Sequence, residues 1–218
     1  MPEGRLVIGT KRYSSWSMRG WRVVHLAGLD VEEVMIPLAG GGGTSALKTA
    51  TPAGLVPFLE HRGARIWESL SICEYCAEIA PQLWPAERAA RAHARSIAAE
   101  MHAGFRNLRI AMPMNLGRSF PGRGRTPESL ADIARVEAIW AEAIAAHGGP
   151  FLMGAAFGAV DAMYAPVVAR FITWQPELSA TTQRYMAAVR AHPLVARWYD
   201  EAAAEPAEWL LERYENPA

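Results

Sequence analysis

The sequence predicts two units, a small α/β domain over residues 1–82 and an all-α domain over residues 86–218. Three observations carry this. In the first unit, short apolar runs and a hairpin signal alternate with helical content. The proline-bearing segment Ala80-Pro81-Gln82-Leu83-Trp84-Pro85 then interrupts the chain. Beyond it the texture turns Ala-rich and studded with Arg and Glu, which favours helix. A chain of 218 residues is long enough for two modest cores.

Each element follows in order. Leu6-Val7-Ile8 suits a short buried strand, and Ser14 to Ala27 reads as a helix ended by Gly28, a good C′ residue. Val31 to Leu38 is a second strand, followed by a flexible break at Gly40 to Gly43. Val56 to Leu59 and Arg65 to Trp67 flank His61-Arg62-Gly63-Ala64, a hairpin in which Gly63 supplies a permissive backbone. A helix from Ser69 to Ile79 closes the unit. In the second unit one helical run extends from Pro85, allowed in a first helical turn, to Met112 before Pro113. Further helices are expected from Thr126 to His147, Val160 to Trp174, Ala180 to Ala191 and Leu194 to Ala204.

Composition narrows the function. The chain has 22 basic and 22 acidic residues and a formal net charge of zero, so no overall field draws it to nucleic acid or anionic lipid. No apolar run approaches the roughly 20 residues of a membrane span. Met1-Pro2-Glu3-Gly4-Arg5 does not open a signal peptide. A cytoplasmic protein with no membrane and no nucleic-acid partner is expected. The six histidines form no His-x-x-x-His pair, so no metal is expected either. The two cysteines, Cys73 and Cys76, have C-x-x-C spacing, but they sit inside a helical run on one face, which favours buried thiols over a redox pair.

Three local patterns carry chemistry. Tyr13-Ser14-Ser15-Trp16-Ser17 opens the first helix, where hydroxyl donors and free amide groups stabilise an anion, or simply cap the helix. Thr51-Pro52-Ala53-Gly54-Leu55-Val56-Pro57 puts an X-Pro peptide beside a strand. Trp67-Glu68-Ser69 opens another helix with a carboxylate and a hydroxyl, a pair able to take an ammonium and a carboxylate, or to act as an ordinary cap. The three suit parts of a small, anionic, thiol-bearing peptide.

In order and spacing these motifs resemble the soluble glutathione transferase superfamily over essentially the whole chain. Ser14-Ser15-Trp16-Ser17-Met18-Arg19 is similar to the Ser-Ser-Cys-Ser-x-Arg motif of the zeta class and related bacterial proteins, with Trp16 in place of the cysteine. The resemblance implies a thioredoxin-like N-terminal domain, glutathione as co-substrate and a homodimer. In thioredoxin-like redox proteins the C-x-x-C pair begins the helix after the first strand, where this chain has Ser14 to Ser17.

The resemblance also implies site residues. Ser14, five residues before Arg19, falls in the register of the catalytic serine, with Ser15 close behind. Val56-Pro57 matches the cis-proline step whose preceding residue pairs its backbone with the cysteinyl part of glutathione, a β-augmentation by a tripeptide. Leu55 stands where the family often has a polar side chain. Glu68 and Ser69 match the grip on the γ-glutamyl end, and Lys48 is a partner for the glycyl carboxylate or a solvated surface lysine. Phe157-Gly158-Ala159-Val160-Asp161 resembles the family's helix-capping box, with Gly158 where a hydroxyl is expected.

A small electrophilic organic substrate should bind between the domains, against Trp16 and the first helix of the second domain, which carries His102, Phe105, Arg106, Arg109 and Met112. Met101, Phe105 and Arg109 share an i, i+4 stripe there, compatible with an acid-binding pocket or with a core edge. The basic segment Arg118 to Arg125 is a rim over that site or a solvated loop. The expected function is a glutathione transferase that activates the thiolate for attack on an electrophile. The alternatives are a zeta-like cis-trans isomerase of the maleylacetoacetate type, or a non-catalytic binding module on the same fold.

Overall fold

The computed structural model describes residues 1–40 and 43–217. Strand β1 (Gly4–Gly9) lies inside a four-stranded sheet and buries Leu6, Val7 and Ile8 completely. It pairs in parallel with β2 (Glu32–Ile36) and antiparallel with β3 (Phe58–His61), which pairs antiparallel with β4 (Ala64–Trp67), giving the order β2-β1-β3-β4. The β3–β4 turn is Arg62-Gly63, both at positive φ (48° and 84°), the handedness that matches strand twist in a two-residue hairpin.

Helix α1 (Ser15–Leu26) covers the sheet and is buried almost all round, because α3 (Ser69–Ile79) packs on one flank and α7 (Ala159–Trp174) of the helical unit on another. Gly20 permits this approach: a Cβ there would come within 2.8 Å of the Pro57 ring. A short helix α2 (Ser45–Ala50) follows Thr44. It was not expected, and the Gly40 to Gly43 break lies in part outside the described residues.

The single helical run expected from Pro85 to Met112 is instead two helices, α4 (Arg88–Ala103) and α5 (Arg106–Ala111). Glu87 sets the start by accepting from the Ala89 and Ala90 amides at 2.8 and 2.6 Å, which leaves Pro85 outside. Phe105 breaks the run in the left-handed region at φ 60°. The Arg109 guanidinium folds back onto the Met101 and Gly104 carbonyls, a cation on the C-terminal groups of α4. Met101, Phe105 and Arg109 are therefore not one helical stripe.

α6 (Pro127–His147) begins at the Thr126 cap, and α7 runs through the centre of the helical unit with nearly every side chain buried. Gly158 has no hydroxyl to cap α7. Buried Asp161 reaches back instead, accepting from Gly158 and Leu152 amides (2.9 and 3.0 Å) and from the Tyr185 hydroxyl (3.1 Å). α8 (Ala180–Ala191) and α9 (Pro193–Ala203) complete the bundle around Trp140, Trp174 and Trp198. The chain then returns to the first unit through a 3-10 turn (Ala207–Trp209) and α10 (Glu212–Glu215), neither expected from sequence. No helix among the described residues is long and apolar enough to cross a membrane.

Candidate active site

The N-terminus of α1 forms one wall of a cavity of about 910 Å³. Tyr13, Ser14, Ser15 and Trp16 line it together with Val56 from the loop before β3, Arg109 from α5, Arg170 from α7 and the C-terminal tail. Both serines are 6% exposed. Ser14 caps α1: its Oγ accepts from the Ser17 amide (3.3 Å) and donates to Ser17 Oγ (2.7 Å), which accepts from the Gly9 amide of β1 (2.9 Å). Ser15 Oγ instead accepts from Arg170 Nη2 at 3.3 Å.

Two guanidinium groups flank Trp16, and a third, that of Arg170, meets Ser15. Arg19 and Arg109 lie 4.6 and 4.9 Å from the Trp16 ring, and the His102 ring meets its edge at 5.3 Å. Arg19 donates to the Met163 carbonyl (2.9 Å), Arg170 to Pro166 (3.2 Å), and Arg109 to its two α4 carbonyls. Both terminal nitrogens of Arg19, Nη1 of Arg109 and Nε of Arg170 are buried with no hydrogen-bond partner among the described residues. Burial, reinforced by mutual repulsion, holds Arg19 well below the usual arginine range and pushes Arg170 down to about 9. Burial likewise takes Arg109 to about 10 against the opposing pull of Asp132. Arg109 and Arg170, which line the cavity, stay cationic at neutral pH, so its wall attracts anions.

The peptide edge lies opposite. Val56-Pro57 is cis, and the Val56 amide and carbonyl have no hydrogen-bond partner among the described residues. Leu55 is exposed on the cavity rim. Glu68 holds φ 67° ahead of α3 and is exposed, while the Ser69 hydroxyl beside it is buried with no partner among the described residues. His102 Nε2 lies 3.6 Å from Glu68 Oε2.

The C-terminal tail roofs the cavity with Leu211, Arg213, Tyr214 and Pro217. The Tyr13 hydroxyl donates to Glu215 (2.6 Å) and accepts from the Leu211 amide (3.2 Å), and burial raises its pKa. Tyr13 is thus tied to the tail, and Ser14 and Ser15 are the serine hydroxyls that the α1 N-terminus presents to the cavity. Asn115 binds the Tyr214 carbonyl and Glu215 at 2.8 and 2.9 Å. The basic segment 118–125 is fixed in place: Phe120 packs on Trp174, Arg118 pairs with Glu215, Arg123 donates to Pro217, and Gly124 and Arg125 reach the cavity.

Of the residues expected here, Ser14, Ser15, Trp16, Leu55, Val56 and Arg109 line the cavity. His102, Glu68 and Ser69 lie outside the cavity lining, His102 meeting the Trp16 ring and the Glu68 carboxylate. Phe105 and Met112 instead fill the core, and Arg106 is exposed away from the cavity wall, because the α4–α5 break rotates them off the shared face. Pro57 packs against Gly20, and Lys48 is exposed on α2 beside Gly54. Sequence reasoning missed Arg170, although a lone cation in the apolar run Pro166-Val167-Val168-Ala169-Arg170-Phe171 was a signal for it. It also missed the tail, for which no periodicity gave a cue.

The fold agrees with that of known proteins. The family Glutathione S-transferase, N-terminal domain matches residues 13–79, and Glutathione S-transferase, C-terminal domain matches residues 123–201. A probable maleylacetoacetate isomerase of Caenorhabditis elegans is 36% identical over 112 residues, covering 47% of this chain and 52% of that protein. The chain thus spans about half the length of this curated relative. Among solved structures, a glutathione transferase homologue from Burkholderia with bound glutathione superposes with a TM-score of 0.69 at 21% identity, over 93% of this chain and 99% of that one. A theta class glutathione S-transferase from Xanthomonas axonopodis pv. citri with glutathione bound gives 0.64 at 25% identity, over 94% and 99%. A maleylacetoacetate isomerase from Anaeromyxobacter dehalogenans gives 0.66 at 22% identity, over 95% and 96%. With both domain families matched in order along one chain of this fold, the protein belongs to the glutathione S-transferase family.

Proposed function

We propose that this protein is a glutathione transferase that ionises glutathione at the N-terminus of α1 and directs the thiolate at a small organic acid. One observation carries the reading. Serine hydroxyls, an unpaired backbone edge at Val56 and cationic nitrogens without partners among the described residues face a single cavity. Free thiol at its ordinary pKa is only a few per cent ionised at pH 7, and lowering that value by about two units takes roughly 2.7 kcal/mol of preferential binding to the thiolate. In this reading the Val56 backbone takes the cysteinyl unit, Glu68 and the unpartnered Ser69 hydroxyl take the γ-glutamyl ammonium and carboxylate, and Lys48 takes the glycyl end. Ser14 or Ser15 lies on sulfur.

Trp16, Arg109, Arg170, Ile110, Met114 and the tail then surround the electrophile. Unpaired guanidinium nitrogens favour a carboxylate on it. A homodimer is part of the proposal, supported by exposed Trp67 and Ile79 on the β4 and α3 side of the first unit. A cytoplasmic location fits two free, buried cysteines.

The cationic wall and the partial match to a probable maleylacetoacetate isomerase favour a second reading, cis-trans isomerisation. Thiolate adds to one carbon of an activated double bond, the new single bond rotates, and elimination restores both the double bond and the thiolate. Incubation with glutathione and either a neutral aryl halide or a cis-enone carboxylic acid separates the readings. Conjugation consumes thiol, whereas isomerisation converts the acid with total thiol unchanged. Glutathione binding with neither turnover contradicts both and leaves a binding module.

A further inference from the structure

We propose that Glu205, from the helical unit, is the positioning residue that holds the serine-bearing entry of α1 against the glutathione sulfur; this rests on the glutathione reading above. The entry has no ladder of its own. β1 ends at Gly9 and α1 begins at Ser15, so the residues between them must find other partners for their backbone groups. Thr10 serves the inner side of the turn. Its carbonyl accepts from the Tyr13 and Ser14 amides at 3.3 and 2.9 Å, which ties residues 10–14 into one tight unit.

Lys11 and Arg12 form the outer side, and the helical unit takes all four of their backbone groups. The Glu205 carboxylate, just beyond α9, accepts from both amides, Oε1 from Lys11 and Oε2 from Arg12, the second at 3.1 Å. Trp198 Nε1 of α9 donates to the Lys11 carbonyl at 3.1 Å, and the Leu116 amide donates to the Arg12 carbonyl at 3.2 Å. The directions of these bonds are fixed, because backbone and indole N–H groups only donate and an ionised carboxylate only accepts. The serines therefore stand on the first unit but take their position from the second.

Glu205 has no other task among the described residues. It forms no ion pair there, and its two hydrogen bonds are those to the loop amides. The Lys11 ammonium is occupied separately by Glu33 and Glu201, between the rings of Trp21 and Trp198 at 5.1 and 5.2 Å. Burial raises the Glu205 carboxyl above its ordinary range against the opposing pull of the two amides, so the group is drawn out of water to make these contacts. Ser14 and Ser15 follow within three residues and line the cavity. A small displacement of the turn thus moves a hydroxyl off the sulfur, while Val56, Glu68 and Ser69, which hold the rest of the peptide in the reading above, stay with the first unit. Thiol ionisation and kcat should depend on Glu205 more than KM for glutathione does. Glu205 touches neither sulfur nor electrophile and acts through the turn alone.

The test reads the bound thiol through its ultraviolet thiolate signal, titrated from about pH 5 to about pH 9, together with kcat and KM for glutathione and with Tm. The variants are Glu205→Ala, Glu205→Gln and, as a control for general destabilisation, Val136→Ala in the core of α6. Glu205→Ala is expected to raise the bound thiol pKa by about half a unit or more, an about threefold smaller thiolate-to-thiol ratio. At about pH 6 kcat should fall by about the same factor, while KM for glutathione changes by less than about twofold. Glu205→Gln keeps the shape, but its single oxygen serves one loop amide and its NH2 faces the other, so the thiol pKa should rise in the same direction. Val136→Ala should lower Tm and leave the thiol pKa and kcat in place. An unchanged thiol pKa in both Glu205 variants overturns the assignment and leaves Glu205 a staple between the two units. A matching rise in Val136→Ala overturns it too, because ionisation would then follow overall stability. If Glu205→Ala does not fold, Glu205→Gln decides alone, a raised pKa supporting the assignment and an unchanged one overturning it. Failure of the unaltered protein to bind glutathione overturns the functional reading instead.

Discussion

Replacing Arg109 by Met should convert the protein from a selector of acids into an indifferent transferase. The Arg109 guanidinium lies 4.9 Å from the Trp16 ring, keeps Nη1 without a partner among the described residues and reaches the cavity. Burial lowers its pKa to about 10, so it is charged at neutral pH. One charge-assisted hydrogen bond to a substrate carboxylate is worth about 1.5–3 kcal/mol, which is about 10- to 150-fold in kcat/KM. The same side chain binds the Met101 and Gly104 carbonyls. Loosening that turn should lower Tm by about 2–4 °C for each kcal/mol lost.

The assay therefore compares a carboxylate-bearing electrophile with a neutral one of similar size, in both proteins and at saturating glutathione. The acid should lose the full factor while the neutral compound changes by no more than about threefold. Equal losses for both would show that Arg109 acts only by holding the α4–α5 turn, and would refute the argument for an acidic substrate.

Other perturbations probe the surrounding frame. Gly20→Ala places a methyl group against the Pro57 ring at 2.8 Å and should cost about 1–3 kcal/mol in overpacking, read as a lower Tm and a raised KM for glutathione. Truncation after Leu210 removes the contacts of Tyr13, Asn115 and Arg123 with the tail. It should raise KM for the electrophile severalfold while leaving far-ultraviolet circular dichroism nearly unchanged. Burial drives both cysteine thiols up, Cys76 to about 12, so neither carries thiolate near neutral pH. Iodoacetamide should leave the native protein unmodified and fully active, and rapid labelling with loss of activity would revive a redox role for the C-x-x-C pair.

How much was legible in the sequence follows from where the determining contacts lie. The α1 start, the Arg62-Gly63 hairpin and the α3 start are local: capping serines, a glycine turn and an apolar period set them within a few residues. The α4–α5 break is not local. Gly104 inside an Ala-rich run reads as a tolerated helix residue, and what fixes the turn is Arg109 folding back onto α4, with Phe105 held in the left-handed region. The site divides the same way. Ser14, Ser15 and Val56 were legible as motifs, whereas Arg170 looked like one position in a core helix and gains meaning only when α7 packs beside α1. The tail has no helical period, and its place over the cavity depends on pairing between Tyr13 and Glu215, 202 residues apart.

The central claim, that this chain binds glutathione and ionises it, is met most directly by calorimetric titration of the unaltered protein with glutathione at pH 7 in buffers of different ionisation enthalpy. Saturable binding at or below millimolar concentration, with release of a substantial fraction of one proton per site, is the result expected of a thiol whose pKa falls by about two units. Binding without proton release would contradict thiolate activation, and no heat at millimolar glutathione would contradict the transferase assignment itself.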